Sequence, residues 1–354
     1  MKRVAIVSLG RGIAMGEVRR VASWRQIFVS AGAEVVEVPV APTRRPHVDG
    51  IVSVVSGRAV PERLAWSGAR LRDALRAERP DAVVVVSTRA FDAAASIGSW
   101  TIVLDLVDTL SRSYRDRAAV VDGIPRRTMY RALASAHRRV EHRLTGSGIR
   151  RVAAGWTDAH ALDAEWVPNT TDPTLVPVDG RSPDHDVLFF GTLRYPPNLD
   201  ALERLDRIWP LVLSARPGTT ALVAGAAPPP RVAELCARNR WELVADFASL
   251  SQLAARARVA VAPLTRVAGI QNKVLDAATL GLPQVVTPAA LEGFAPGLPL
   301  PAPADDAAFA AEIVRVLDDR AGALAAAATL RDHVHREYSA ARWSDWARAL
   351  LDSS

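Results

Sequence analysis

The chain has 354 residues, 49% hydrophobic and 23% charged, with a formal net charge of +6. That is room for two ordinary domains and the composition of a soluble globular protein. No apolar run reaches the ~18 residues of a membrane-spanning helix, and a single cysteine, Cys236, excludes an internal disulfide and suits a reducing cytoplasm.

The first element is a strand, Val4 to Ser8, a short apolar run bounded by glycines. The basic-then-apolar start is too short for a signal peptide and shows no cleavage motif, so the strand reading is preferred. Gly10, Arg11 and Gly12 follow, then a helix from about Glu17 to Ala31 and a second strand from Glu34 to Val38. The glycine spacing is not the dinucleotide fingerprint, yet such a loop lets a ligand approach the backbone closely, so Gly10, Arg11 and Gly12 are candidate cleft residues. Residues 39–60 read as irregular. A helix from Pro61 to Ala77, a strand from Ala82 to Ser87, a short helix over Ala90 to Ile97 and a strand from Thr101 to Leu106 follow. Asp105 and Asp108 stand at the carboxyl end of that last strand, where parallel sheets bind ligands. Asp108 reads equally as the N-cap of a helix from Leu110 to Ala119. Pro125 to Leu144 is a basic helix carrying six arginines, its inner stripe Tyr130, Leu133 and Val140.

Residues 1–170 hold 26 Lys and Arg against 17 Asp and Glu, and residues 171–354 hold 18 against 21. The basic half suits an anionic membrane surface or an anionic acceptor, or else reflects an arginine-rich genome. The arginines are scattered and no recognition motif accompanies them, which argues against nucleic acid. No metal-ligand spacing is present, so no metal is expected.

Residues 168–186 contain four prolines and little helical period, and make the best linker. The division expected is a first domain over 1–170, a linker over 171–186, a second domain over 187–335, and a terminal helix over 336–354 that packs back on the first domain. The second series opens with the strand Asp186 to Phe190, then Gly191 and Arg194, then a helix from about Leu199 with Pro197 in a first-turn position. Strands over Thr219 to Ala224 and Trp241 to Val244 follow, then a helix capped by Ser249. The last three helices run from about Asp305, Ala321 and Ser339.

Within this series the strand from Val259 leads to Gly269, Ile270, Gln271, Asn272 and Lys273, which open a helix ending at Gly281. Strand, glycine loop and helix start are how open α/β sheets present N–H groups to a phosphate. Lys273 and Asp276, three residues apart, project from one face near the positive helix end. The lysine can neutralise a diphosphate and the aspartate can accept from a ribose. Lys2 and Lys273 are the only lysines in an arginine-rich chain, so Lys273 marks a place for a compact ammonium.

These pieces resemble the GT-B glycosyltransferases of the large retaining family four, particularly bacterial members of surface-polysaccharide or glycoconjugate synthesis. The matching stretches are Phe189 to Asn198, Pro168-Asn169, Val261 to Leu264, Gly269 to Ala277 with Gly281 to Pro283, Thr287, and Glu292-Gly293. The resemblance implies an α/β fold of two Rossmann-like domains facing across a cleft. It implies a nucleotide-sugar donor in the second domain and a sugar, lipid-linked or small-molecule acceptor mainly in the first. Lys273 and the backbone of Ile270 to Asn272 would hold the diphosphate, helped by Gly191, Arg194 and Gly269. Asp276 would replace the usual ribose-binding glutamate. The first acid of the family's paired motif falls on Ala268 and is absent, and no histidine of the first domain matches the family's, its strand end being occupied by Asp105 or Asp108.

The function expected is therefore metal-independent, cofactor-free transfer of a sugar to an acceptor hydroxyl, with retention, in the cytoplasm or at the inner face of the membrane. The alternatives are a sugar-nucleotide 2-epimerase, which needs no acceptor, and a non-catalytic nucleotide-sugar-binding protein.

Overall fold

A computed structural model describes the chain except for residues 10–14, 41–42, 44–47, 93–99, 122, 146, 178–181 and 354. Gly10, Arg11 and Gly12, and most of the helix expected over Ala90 to Ile97, lie outside the described residues. The chain forms two compact units, Met1–Thr170 with Tyr338–Ser354, and Thr171–Glu337.

The first unit runs β1 (Arg3–Ser8), α1 (Met15–Ser30), β2 (Glu34–Pro39), α2 (Val48–Val55), α3 (Gly68–Glu78), β3 (Ala82–Val86), β4 (Thr101–Asp105), α4 (Leu110–Val120), α5 (Ile124–Leu144), β5 (Arg150–Ala153), α6 (Trp156–Ala161) and β6 (Glu165–Trp166). Its strands form one parallel sheet in the order β2-β1-β3-β4-β5-β6. The inner strands β1 and β3 are apolar on both faces because helices cover both. Alternate residues serve opposite cores. Val4, Ile6, Val84 and Val86 pack with Trp24, Phe28 and Leu350 on one side. Ala5, Val7, Val83 and Val85 pack with Trp66, Leu71 and Leu75 on the other.

The second unit runs β7 (His185–Phe190), α7 (Pro196–Ala215), β8 (Ala221–Gly225), α8 (Pro230–Asn239), β9 (Glu242–Ala245), α9 (Leu250–Ala255), β10 (Ala257–Ala262), α10 (Asn272–Thr279), β11 (Gln284–Val286), α11 (Pro288–Leu291), α12 (Asp306–Asp318) and α13 (Arg320–Glu337). Its sheet is also parallel, ordered β11-β10-β7-β8-β9. The chain then returns to the first unit as α14 (Ala340–Asp352), whose Trp343, Ala347, Leu350 and Leu351 join the core around β1.

Local signals place most helix ends. Ser67, Ser249, Asp305 and Ser339 each accept from a first-turn amide of the helix that follows. Two readings change. The helix expected from Pro61 to Ala77 is a 3-10 turn over Pro61–Ala65, then a break, then α3. The cause is Ser67, which caps α3 through the amide of Arg70, while extended Trp66 ends the turn before it. The irregular reading of residues 39–60 also missed α2, whose β-branched composition carries weak helix propensity.

Candidate functional site

In the second unit the strand order reverses beside β7: β8 and β9 lie to one side, β10 and β11 to the other. In open parallel sheets, ligands bind at the carboxyl ends of the strands where this switch occurs. Here the loops after β7 and β10 leave adjacent strands, and they carry Gly191 and the Gly269–Gln271 approach to α10.

Sequence fixes α10 at both ends. Gly281, at φ +61°, takes the left-handed position just past it. Leu282 N–H then reaches the Ala277 carbonyl at 3.0 Å, and Gly281 N–H reaches that of Ala278 at 2.9 Å. This paired closure is the usual glycine-terminated helix end. At the other end Gln271 occupies the cap position and supplies no side-chain acceptor to the helix. Its amide turns back to the Ala268 carbonyl at 3.4 Å. The positive end of α10 is thus not occupied by a side-chain cap.

The approach loop is held from behind. A Cβ on Gly293 would stand 2.3 Å from the Gly269 carbonyl and 2.6 Å from Ile270 Cα, so only glycine lets the turn after α11 pack there. Thr287 Oγ1 donates to the Leu264 carbonyl at 2.6 Å, tying the end of β11 to the same loop.

Lys273 lies in the first turn of α10, and its Nζ donates to Asn198 Oδ1 at 2.7 Å. The ammonium stands 4.4 Å from the centroid of the Phe189 ring. Asn198 is oriented by its own amide, which donates to the Thr192 carbonyl at 2.9 Å. Gly191 makes room: a Cβ there would stand 2.9 Å from Asn198 Nδ2 and 3.2 Å from Lys273 Nζ. Among the described residues no carboxylate forms an ion pair with Lys273. Burial without a counter-charge pulls its pKa down from 10.5 to about 7. A half-buried cation held in this way gains from any anion that approaches.

The structure therefore brings Gly191 and Lys273 together and puts Gly269, Ile270, Gln271 and Asn272 at the start of Lys273's helix. Asp276 stands one turn along α10, half-buried, and Arg194 is exposed in the loop between β7 and α7. Asn198 was not singled out from sequence, although it sits in the first turn after Tyr195-Pro196-Pro197. Its partner is 75 residues away, and no local pattern shows that pairing.

In the first unit Asp105 is fully buried. Its Oδ2 accepts from Arg20 Nε and, at 2.6 Å, from Trp24 Nε1, and its Oδ1 accepts from Val107 N–H at 2.9 Å. Val107 holds φ +61°, a costly conformation for a β-branched residue, which that bond stabilises. The expectation that Asp105 meets substrate gives way to a structural role: it is enclosed and its oxygens are committed. Asp108 does not cap α4 either. Thr109 occupies the cap position without a side-chain cap bond, and Ser111 N–H is taken by Glu141 at 3.0 Å. Asp108 is half-buried, and its carboxyl is pushed up to about 7 by desolvation and by Asp158, against the pull of Arg89 and Arg117.

A polar cluster lies beside it that sequence reading missed. Arg89 stands 3.7 Å from Glu17 and 3.4 Å from Glu62, and donates to Tyr114 at 3.2 Å. Glu62 also meets His137 Nε2 at 3.2 Å and accepts from Tyr114 at 2.8 Å. Burial raises the Glu62 pKa, but the bonds from His137 and Tyr114 outweigh it and bring it to about 2. Its members span some 120 positions and form no motif, the nearest sequence signal being acidic Glu17 in the first turn of α1. Among the described residues no group of three or more His, Cys, Asp or Glu is placed to hold a metal.

Comparison with known proteins bears on the second unit most directly. Residues 184–319 match the family model described as Glycosyl transferases group 1. The match lies within the second unit and includes Gly191, Asn198 and Lys273. No curated protein matches the sequence. Solved structures align along the whole chain. Sucrose-phosphate synthase from Thermosynechococcus elongatus aligns with TM-score 0.74 and 14% identity, over 100% of both chains. Anabaena Alr3699/HepE in complex with UDP aligns with TM-score 0.69 and 15% identity, again over 100% of both. The α,α-trehalose 6-phosphate synthase of Burkholderia multivorans gives TM-score 0.64 and 14% identity, over 100% of this chain and 99% of that one. At such identities the likeness is one of fold: two parallel-sheet α/β units of GT-B type with a helical tail.

Proposed function

We propose that the protein is a glycosyltransferase that moves a sugar from a nucleotide diphosphate to an acceptor hydroxyl, with retention and without a metal. The observation that carries this is the half-buried ammonium of Lys273, without a carboxylate partner among the described residues, in the first turn of a helix that has no side-chain cap. A diphosphate supplies the missing negative charge and accepts from the helix amides. The family match over residues 184–319 supports the same class of donor. The structure of Alr3699/HepE holds UDP, which makes uridine diphosphate the first nucleotide to try.

In this reading the bond from the anomeric carbon to the β-phosphate oxygen breaks as the acceptor oxygen bonds to that carbon. The acceptor proton passes to the departing phosphate. Charge grows on the β-phosphate, where Lys273 and the start of α10 stand. A preorganised donor of this kind lowers the barrier by about 3–4 kcal/mol. Asp276 accepts from the ribose, and Arg194 adds charge to the diphosphate. The acceptor, a sugar or a lipid-linked or small molecule, binds the first unit, and the product belongs to surface-polysaccharide or glycoconjugate synthesis in the cytoplasm.

The test is release of UDP from UDP-sugars with and without a panel of sugar acceptors, for the protein and for Lys273→Ala. Acceptor-dependent release that falls about a thousandfold in the variant, with its fold intact, is the expected result. Near-normal turnover by Lys273→Ala would refute the assignment. UDP binding with no turnover on any acceptor would favour a non-catalytic binding protein, the reading that Ala268 in place of the first acid supports. Isomerised donor in the absence of acceptor would favour an epimerase.

A further inference from the structure

Helix α2 is inside out for a helix of a water-soluble unit. Its apolar stripe, Val48, Ile51, Val52 and Val55, recurs at helical spacing and faces solvent, with exposures of 77%, 45%, 53% and 83%. Its inner face is small: the buried residues are Gly50 and Ser53. The reason is Arg63. This fully buried guanidinium donates to Asp49 Oδ2 at 2.7 Å and to Asp92 Oδ2 at 2.6 Å, and stacks on the Trp66 ring with Cζ 4.1 Å from its centroid. A Cβ on Gly50 would approach Arg63 to 3.1 Å, so α2 seats directly on the guanidinium and turns its valines outward. The stripe is thus held in place by a buried ion pair, not left out by loose packing.

Basic surface adjoins it. Arg143 of α5 donates to the Ser56 carbonyl just past α2, and its guanidinium packs where a Cβ on Gly57 would stand 3.2 Å away. Arg139 lies one turn before Arg143, and Arg58 is exposed just beyond α2. All six arginines of α5 are exposed, namely Arg126, Arg127, Arg131, Arg138, Arg139 and Arg143. Its one acid, Glu141, is buried and holds Ser111 N–H. No helix among the described residues is long and apolar enough to cross a membrane.

We infer that α2 and the arginine face of α5 dock the first unit on an anionic lipid bilayer. Aliphatic side chains on one helix enter the boundary between headgroups and acyl chains, and flanking arginines meet lipid phosphates; the two attractions together are what interfacial binding requires. Nucleic acid would use the arginines and leave four aliphatic side chains in water. The contact lies on the bilayer and does not span it. It is independent of the donor chemistry in the second unit.

The test is sedimentation of the full chain with vesicles of phosphatidylcholine alone and of phosphatidylcholine mixed with phosphatidylglycerol, at low and high salt. The protein is expected to pellet with the mixed vesicles at low salt and to stay in solution with the neutral ones. A variant with Val48→Ser, Ile51→Ser, Val52→Ser and Val55→Ser is expected to lose about tenfold or more in partitioning. Arg138→Glu with Arg139→Glu should lose about as much and respond less to salt. These side chains are exposed, so circular dichroism and UDP-induced thermal stabilisation should match the parent, which separates this idea from the donor assignment. Failure of the parent to pellet with anionic vesicles overturns the proposal, as does equal pelleting of both variants. So does a parent dimer that the α2 substitutions convert to monomer without any vesicle binding, which would make a second copy the occupant.

Discussion

The two sheets share a switch-point topology and treat buried charge in opposite ways. Near the carboxyl edge of the first, guanidinium meets carboxylate: Arg20 with Asp105, Arg63 with Asp92, Arg89 with Glu17 and Glu62. At the carboxyl edge of the second, Lys273 has, among the described residues, only an amide oxygen and a ring face. Paired charges hold the protein to itself; breaking one strands its partner. A partly desolvated cation without a counter-charge weakens the fold until something else supplies the charge. On the function proposed, the contrast separates residues that maintain the first unit from a residue that would meet a ligand in the second.

Substitution at the two cations should break the symmetry most sharply. Lys273→Met is expected to abolish transfer yet to raise stability by about 1–2 kcal/mol, because a desolvated ammonium is removed. The lysine's folded pKa, about 7, is below its unfolded value of 10.5. Its penalty is therefore full below pH 7 and fades as pH rises towards 10.5, so the gain should be largest near neutrality and below. Arg20→Met should do the reverse, costing about 3–5 kcal/mol by leaving Asp105 buried and unpaired. Urea melts of both variants make the check. An unstable Lys273→Met, or an Arg20→Met as stable as the parent, would erase the distinction.

A smaller effect sharpens it. Binding of a diphosphate needs the charged ammonium, so affinity for UDP should fall by up to about tenfold per unit above pH 7. Titration calorimetry across pH 6 to about 9 would show this, and Lys273→Met should flatten the curve. A pH-independent affinity in the parent would place the diphosphate elsewhere.

The smallest expected effect lies in the first unit. Asp108 has its folded pKa raised from 3.8 to about 7. Its ionised form is disfavoured on folding, so stability falls as pH rises from 3.8 to about 7 and the penalty persists above. Asp108→Asn should stabilise by about 1–2 kcal/mol at pH 8 and by little at the acid end of that window. A thermal melt series that shows the same gain at both ends would assign the effect to packing instead.

The parts legible in sequence were those encoded by neighbours. Parallel strands buried on both faces appear as short apolar runs, so β1, β3, β7 and β10 could be read directly. The start of α10 was legible because the glycine loop, the helix start and the lysine follow one another closely in the chain. What was hidden depended on distant partners. Asn198 reaches Lys273 across the sheet switch, and the Arg89 cluster collects side chains from five separate stretches. Asp105 looked available because its strand ends at the ligand-binding edge; Arg20 and Trp24, some 80 positions earlier, close it off. Helix α2 was missed since its stripe answers to a buried arginine and not to a core.

The return of α14 has a consequence for synthesis. Trp24 lies 5.5 Å from Trp346 between ring centroids, Trp166 packs edge-on to Trp343, and Trp346 Nε1 donates to Glu165 at 2.7 Å. Residues 1–170 emerge from the ribosome before α14 and lack this aromatic wedge until residues 340–352 are out, whereas the unit of residues 171–337 is contiguous in the chain. The half that is made first is finished last. A truncation that removes residues 340–352 therefore strips packing from the unit built around β1.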